Sequence, residues 1–391
     1  MLTATKPAPG QAARRPKRML WQHFDPILAG AALFIGAFGC LMVYTATRDQ
    51  LQAAGLSPTY YLKKQVVFMA AGVVVMLAVA AIDYRRYRDW AVAIYGLSVL
   101  MLMAVYVVGH KSRGAQAWFQ FGSYQVEPSE FVKIGFIVAL ATYCAAFKGR
   151  LRLRGLVLVL VLSVVPFVLI YKQPDLGSAL VLGAVLLAVL LIGGASGRHL
   201  ILLAVIAAVL GVGVVHFHVL KSYQQARLSS FINSPDQPNA ALLRSNAGAN
   251  EYNLAESKIT IGDGGLTGKG IGKGSQTNLS YVPEQRTDFI FTAVGEQVGL
   301  VGSGLLLLLF AIVVWRTWRA ATLSRDLVGT LICVGVLAMV MFQVFENIGM
   351  TMGIMPVAGI PLPLMSYGGS AVIATFAAIG LVLNVRMRRF S

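Results

Sequence analysis

About ten apolar runs of near-spanning length constrain this chain more than any other feature, because a bilayer core of about 30 Å takes about 20 residues of helix. They fall at 27–47, 65–82, 90–109, 128–147, 155–171, 176–195, 199–219, 288–315, 327–350 and 366–385. Within hydrocarbon every backbone amide needs a partner inside its own segment or in a closed barrel, so unbroken runs of this length predict helices. The run 288–315 is long enough to tilt or to begin above the bilayer. Composition agrees, with 57% hydrophobic residues, only 13% charged and a mean hydropathy of +0.70. The expected fold class is all-α, a polytopic membrane protein of about ten transmembrane helices, and an ordinary soluble enzyme is excluded.

The 33 Lys and Arg exceed the 16 Asp and Glu, for a formal charge of +17. The cations sit in short clusters between apolar runs, as topology signals do, so no nucleic-acid partner is expected. One set of segments (1–25, 83–89, 148–154, 196–198, 316–326 and 386–391) carries 19 Lys and Arg, against 6 in the short loops of the other set. The long loop 220–287 is set aside because long loops translocate largely regardless of charge. Both termini are therefore predicted to be cytoplasmic. Residues 1–25 read as a basic tail before a retained first helix, with no small-residue cleavage pattern after it. Helices one to seven are expected over 26–219, an external loop over 220–287, helices eight to ten over 288–385 with a re-entrant loop at 351–365, and a cytoplasmic tail over 386–391. Cys40, Cys144 and Cys333 lie inside apolar runs, and the five histidines show no metal spacing, so neither a disulfide framework nor a zinc site is expected.

Loops beyond about 15 residues are uncommon unless functional or disordered, which draws attention to 220–287. Its polar first part, "SPDQPNAALLRSNAGANEYN", reads as a flexible excursion, and its second part, from Glu256 to Asp288, as a structured site. The glycine stretch from Gly262 to Gly274 fits neither a phosphate-loop nor a dinucleotide fingerprint in any register. Lys258, Lys269 and Lys273 among exposed backbone amides could still grip a pyrophosphate; the alternative is a flexible loop with solvated lysines. Asp288 follows "VPEQRT" where the loop re-enters the membrane, with Arg286 two residues away and Glu284 four. A carboxylate there could accept a proton or hold a divalent cation, or could simply cap the next helix.

Charges within spans are expensive and tend to be paired or to line a polar cavity. Glu130 and Lys133 stand three apart, on one helical face, and suit a local ion pair. Asp175 could cap the following helix or reach Lys133 across helices. Glu296 lies eight residues beyond Asp288, about 12 Å along an ideal helix, too far for a carboxylate dyad, so it takes a structural or cavity role. Glu346 is a further charge inside a span. The segment from Glu346 to Ser370, "ENIGMTMGIMPVAGIPLPLMSYGGS", mixes small residues and prolines and predicts the re-entrant loop, since irregular backbone survives at membrane depth only when buried in protein or lining a cavity. Trp118 suits an interfacial anchor, or a lid stacking over a sugar.

Six strings in order, "GAQAWF", "PSEFVKI", "QPDLGSA", "ESKITIGDGGLTGKG", "PEQRTDFIFTAVGEQVGL" and "GIMPVAGIPLPLMSYGGSA", make the chain resemble the SEDS family of bacterial peptidoglycan glycosyltransferases (RodA, FtsW, SpoVE) from first span to last. The wording of "QPDLGSA" and "PLPLMSYGGSA" is nearest the RodA branch. The resemblance implies a ten-helix fold in the bacterial cytoplasmic membrane and polymerisation of lipid II, the undecaprenyl-pyrophosphate-linked disaccharide pentapeptide, into β-1,4 glycan strands. It places the family's catalytic aspartate on Asp288 and its cavity residues on Glu130, Lys133 and Asp175. Implied with it are a class B penicillin-binding protein partner and the elongation or division machinery. Asp288 would then act as general base, directly or through a bound divalent cation, Mg²⁺ or Mn²⁺. Lys258, Lys269, Lys273 and Arg286 would stabilise the departing pyrophosphate. This chain departs from the usual pattern at Glu127, commonly Gln, at Gln297, usually Glu, and at Arg286, often His. A lipid-linked sugar flippase is the alternative activity, and a scaffold that only recruits a cell-wall partner is a third.

Overall fold

The computed structural model describes residues 23–112, 115–122, 124–216 and 246–389. Most of the expected basic tail, the polar start of the long loop and the last two residues of the C-terminal tail lie outside the described residues. The elements run α1 (Pro26–Ala53), α2 (Tyr60–Ala81), α3 (Tyr84–Asp89), α4 (Ala91–Val108), β1 (His110–Ser112), β2 (Ala115–Phe121), β3 (Tyr124–Val126), α5 (Pro128–Ala146), α6 (Leu153–Lys172), α7 (Leu176–Ile192) and α8 (Gly197–His216). After the long loop come α9 (Asn246–Asp263), α10 (Ser275–Asn278), α11 (Ile290–Thr322), α12 (Leu327–Thr351) and α13 (Gly369–Met387).

Each of the expected apolar runs forms a helix within its described residues, as α1, α2, α4 to α8 and α11 to α13. Eight of the helices are long and apolar enough to cross a membrane, and α7 is a shorter apolar helix beside them. The outward faces of α2, α4, α6 and α11 expose large apolar side chains such as Val74, Val92, Val161 and Leu305, which suits lipid contact and not water. The protein is therefore a polytopic membrane protein. Local chemistry sets the starts of these helices. Pro128 opens α5 at the position where a missing amide proton costs nothing. Asp25, Asp175 and Asp326 cap α1, α7 and α12 by accepting from the amides of Leu28, Ser178 and Gly329.

The structure corrects or extends the sequence reading at three places. The stretch between α4 and α5 forms an antiparallel sheet in the order β1-β2-β3, a small addition to a helical fold. The helix α9 begins at Asn246, inside the stretch expected to be a flexible excursion. The long run near 288–315 carries a break that length alone does not announce, because α11 is kinked at Gly299, whose φ is 66° and ψ −166°. The break leaves amides of the next turn without helical acceptors, and the glycine loop supplies them: Leu300 and Val301 donate to the carbonyls of Gly265 and Leu266, each at 3.0 Å.

At one end of the bundle Asp25, fully buried, is bonded by Arg316 of α11 through two contacts of 2.8 Å and also by Arg386 of α13. The start of α1 and the ends of α11 and α13 are thus clasped together. Asn384 of α13 and Arg388 just beyond its end bond backbone groups at the end of α2 and the start of α3, closing the same end.

Candidate active site

At the opposite end the segment from Pro283 to Phe289 folds into a compact turn, with the amides of Thr287 and Phe289 both donating to the carbonyl of Glu284 at 3.2 Å. Gln285 is buried below it and donates to the hydroxyls of Thr277 and Thr292, each at 3.0 Å, so α10, the turn and the start of α11 are one unit. Asp288 stands half-buried near the end of this turn. The helix N-cap falls on Phe289, which has no side-chain capping bond, so Asp288 stands one residue before the cap position. The backbone carbonyl of Asp288 accepts from the side-chain amide of Asn347 on α12 at 2.8 Å.

Two residues earlier, the Arg286 guanidinium lies 4.5 Å from the centre of the Tyr61 ring, a cation–π contact that fixes a positive charge beside the turn. Tyr61 in turn meets Tyr367 edge to face at 5.0 Å, and Lys64 lies over Tyr60 and Tyr124 at 4.4 and 5.3 Å. Reading the sequence for charge alone missed this aromatic and cationic wall. Its signal was present in "YYLKK" at 60–64, where aromatic and basic residues mark a membrane boundary. Tyr124 belongs to β3 and also contacts Phe68 of α2, so the sheet is tied to the same wall. Trp118, in the middle strand and half-buried, pairs across from His110.

The glycine loop behaves differently from either sequence reading. The amides of Lys269 and Gly270 donate to the carbonyls of Glu296 and Gln297, and that of Gly272 to the Gln297 side chain at 2.9 Å. Gly268 has a φ of +77°, and a Cβ there would come within 2.3 Å of the Gln297 carbonyl oxygen, so glycine is needed for this approach. These amides are spent on α11, and they do not form an exposed anion cradle or a flexible loop. Lys269 is paired with Asp263. Lys258 and Lys273 are exposed, Lys258 running beside Gly353 in the segment between α12 and α13. Glu296 is fully buried and accepts from the amides of Gln276 and Thr277 and from the Thr277 hydroxyl at 2.6–2.9 Å, capping α10. That is a structural role.

The span charges also find their places. Lys133 bonds Glu130 at 2.6 Å within α5, and both are buried. The alternative Lys133–Asp175 ion pair is not made. Asp175 spends Oδ1 on the Ser178 amide, and its buried Oδ2 has no hydrogen-bond partner among the described residues. Glu127, just before the span, accepts from the Ser129 hydroxyl at 2.9 Å. Burial first, then the charges of Asp175 and Glu130, push the Glu127 carboxyl up to about 8. Glu127, Glu130, Lys133 and Asp175 therefore form one electrostatic group at this end of the bundle. Glu346 is fully buried in α12, and neither carboxylate oxygen has a hydrogen-bond partner among the described residues.

No group of three or more His, Cys, Asp or Glu able to hold a metal occurs among the described residues. An ion held by one or two protein carboxylates together with substrate oxygens, the manner in which Mg²⁺ usually binds phosphorylated substrates, is compatible with these donors.

Fold and site together define a polytopic membrane protein that presents one aspartate, with an arginine close by, on a braced turn at one end of its bundle. The chain belongs to the FtsW/RodA/SpoVE family of cell cycle proteins, whose pattern it matches over residues 26–390. It is 33% identical over 375 residues to the peptidoglycan glycosyltransferase MrdB of Escherichia coli strain K12, covering 95% of this chain and 96% of that one. It is 32% identical over 365 residues to stage V sporulation protein E of Bacillus subtilis strain 168, covering 92% and 96%. Among solved structures it resembles the rod shape determining protein RodA of Thermus thermophilus, with a TM-score of 0.69, 29% identity and coverage of 95% and 99%. A chain from a structure describing how a peptidoglycan synthase complex coordinates polymerization and crosslinking matches at a TM-score of 0.76 and 31% identity, covering 95% and 100%.

Proposed function

We propose that this chain is a peptidoglycan glycosyltransferase that polymerises lipid II into β-1,4 glycan strands in the bacterial cytoplasmic membrane, with Asp288 as its catalytic carboxylate. The observation that carries the assignment of Asp288 is its presentation on a turn braced by α10, α11 and α12. The names of the relatives support the activity. In this reading the 4-hydroxyl of the acceptor GlcNAc attacks the anomeric carbon of the growing strand, Asp288 takes the hydroxyl proton, and undecaprenyl pyrophosphate leaves. An α-linked donor gives a β-linked product by one displacement with inversion, so no second carboxylate nucleophile is required.

Arg286, held over Tyr61, is placed to stabilise the charge that develops on the leaving pyrophosphate. Lys258 and Lys273, both exposed, are the lysines that could join it. Lys269 contributes less than its sequence position suggests, because Asp263 already neutralises it. A Mg²⁺ or Mn²⁺ ion, where bound, would be held by Asp288 and the substrate phosphates and would supply further charge neutralisation. A class B penicillin-binding protein is the partner proposed for crosslinking, in line with the synthase complex that the chain resembles.

Translocation of lipid II is the weaker reading. A flippase must open each end of its path in turn, yet the end opposite Asp288 is clasped through Asp25, Arg316 and Arg386. The test is polymerisation of labelled lipid II by detergent-purified protein, alone and with a class B partner, for wild type and Asp288→Ala, with and without EDTA. Strands from wild type and none from the variant are expected, and loss of strands in EDTA would establish the ion. Lipid II crossing proteoliposome membranes without any strand formation would reverse the assignment.

A further inference from the structure

The carbonyl oxygens of three successive residues, Arg286, Thr287 and Asp288, are each taken by a donor from the chain's last third. Tyr367 N donates to Arg286 O at 2.8 Å, Ser366 Oγ to Thr287 O at 2.5 Å, and Asn347 Nδ2 to Asp288 O at 2.8 Å. Two of these three donors are buried side chains, Asn347 being 0% and Ser366 2% exposed. Each does a second task. Asn347 Nδ2 also donates to Ile360 O at 2.7 Å, and Ser366 Oγ accepts from Leu362 N at 2.9 Å. The Ser366 carbonyl accepts from Gln65 of α2 at 3.1 Å, which anchors the arrangement to a further helix. Only an amide nitrogen can serve two carbonyl oxygens, so the orientation of Asn347 is fixed by its partners.

From this geometry we infer that Asn347 and Ser366 are the positioning residues of the reaction: they lock the turn carrying Asp288 to α12 and to the segment between α12 and α13, and so set where its carboxylate meets the acceptor hydroxyl. The inference rests on Asp288 being the catalytic carboxylate. Neither residue needs to touch substrate. Fixing three consecutive carbonyls leaves the backbone at Asp288 little freedom to rotate, and a general base misplaced by about 1 Å loses about 10²-fold in rate. The sequence separation of 59 between Asp288 and Asn347 is bridged by one side chain, so the coupling is invisible to any local motif.

Asn347→Asp keeps the shape of the side chain but replaces the double donor with a carboxylate facing two carbonyl oxygens. Ser366→Ala removes the hydroxyl that joins Thr287 to Leu362. Initial rates of lipid II polymerisation would be measured against substrate concentration for both variants, wild type and Asp288→Ala, per folded molecule and well below each unfolding midpoint. The expected result is a kcat lowered about 10²-fold in each variant with KM for lipid II within about twofold of wild type. A merely structural role lowers the folded fraction and leaves kcat per folded molecule untouched. That result, wild-type turnover in both variants, or a loss confined to KM would overturn the inference. If Asp288→Ala is silent while the other two polymerise normally, the inference alone fails; if Asp288→Ala itself polymerises, the catalytic reading fails and takes the inference with it.

Discussion

At the scale of single residues, the group around Lys133 yields the plainest expectations. Glu130 and Lys133 are a buried pair at 2.6 Å, and removing one member strands the other charge, at a cost of about 3–5 kcal/mol. Lys133→Ala should therefore lower the detergent unfolding midpoint sharply, and Glu130→Gln combined with Lys133→Met should recover most of it. Equal losses in the single and double variants would sink the pair as a stability element. Glu127 gives a prediction in pH. Its folded value of about 8 lies above the ordinary 4.5 of a glutamate, so the folded state holds the proton more tightly than the unfolded chain. Stability from this group is present at low pH and declines as pH rises between those two values. Glu127→Gln should unfold at a higher temperature than wild type at pH 8, and the gap should close toward pH 5. What could be read in advance here was residue type: the charges were identifiable because charge in a span is conspicuous. Their pairing was not, since Asp175 and Glu130 are both plausible partners for Lys133 until capping geometry commits Asp175 to Ser178.

At the scale of elements, the helices were legible because apolar length and the need to satisfy the backbone leave few other solutions. The kink of α11 was not, because glycine occurs in spans for several reasons and only the partner across the gap distinguishes them. Here that partner is Gly268, whose amide nitrogen would lie 2.3 Å from a Cβ placed at Gly299. Gly299→Ala must either strain a backbone at φ +66° or push the glycine loop away. The expected cost is about 1–3 kcal/mol, seen as a lower unfolding midpoint. Lipid II turnover should fall as well, since the same loop braces the segment that leads to α10. A variant with wild-type stability would show that the loop can rebuild its contacts with α11. The small sheet went unread for a different reason: "AQAWFQF" is a short alternating run between two strong helical signals, and nothing local says whether such a run pairs. In the glycine loop the lysines drew the reading toward phosphate binding, whereas the glycines serve close packing against α11.

At the scale of the whole molecule, sidedness links the cation pattern to the chemistry. The start of α1 and the ends of α11 and α13 meet at the Asp25 clasp, so the beginning of the first span and the end of the last share one end of the bundle, and Asp288 lies toward the other. Positively charged short loops remain in the cytoplasm, and the segments 83–89, 148–154 and 316–326 that carry them connect helices at the clasped end. The Asp288 end should then face outward, where a growing glycan strand has to be. Cys40, Cys144 and Cys333 are buried and can be replaced to give a clean background. Single cysteines introduced at Arg152 and at Thr267 should then behave oppositely in intact cells: a membrane-impermeant maleimide should label Thr267→Cys, and label Arg152→Cys only after the cells are broken. The reverse pattern would place Asp288 in the cytoplasm and remove it from the compartment in which strands are built. The clasp itself carries a matching expectation. Asp25→Ala strands Arg316 and Arg386 together and removes the cap of α1, so unfolding should come at a markedly lower temperature, by the same physics that makes half of a buried ion pair costly. If that variant instead kept its stability and gained lipid II transfer between leaflets, the closed end would be a gate, and the translocation reading would return with a mechanism.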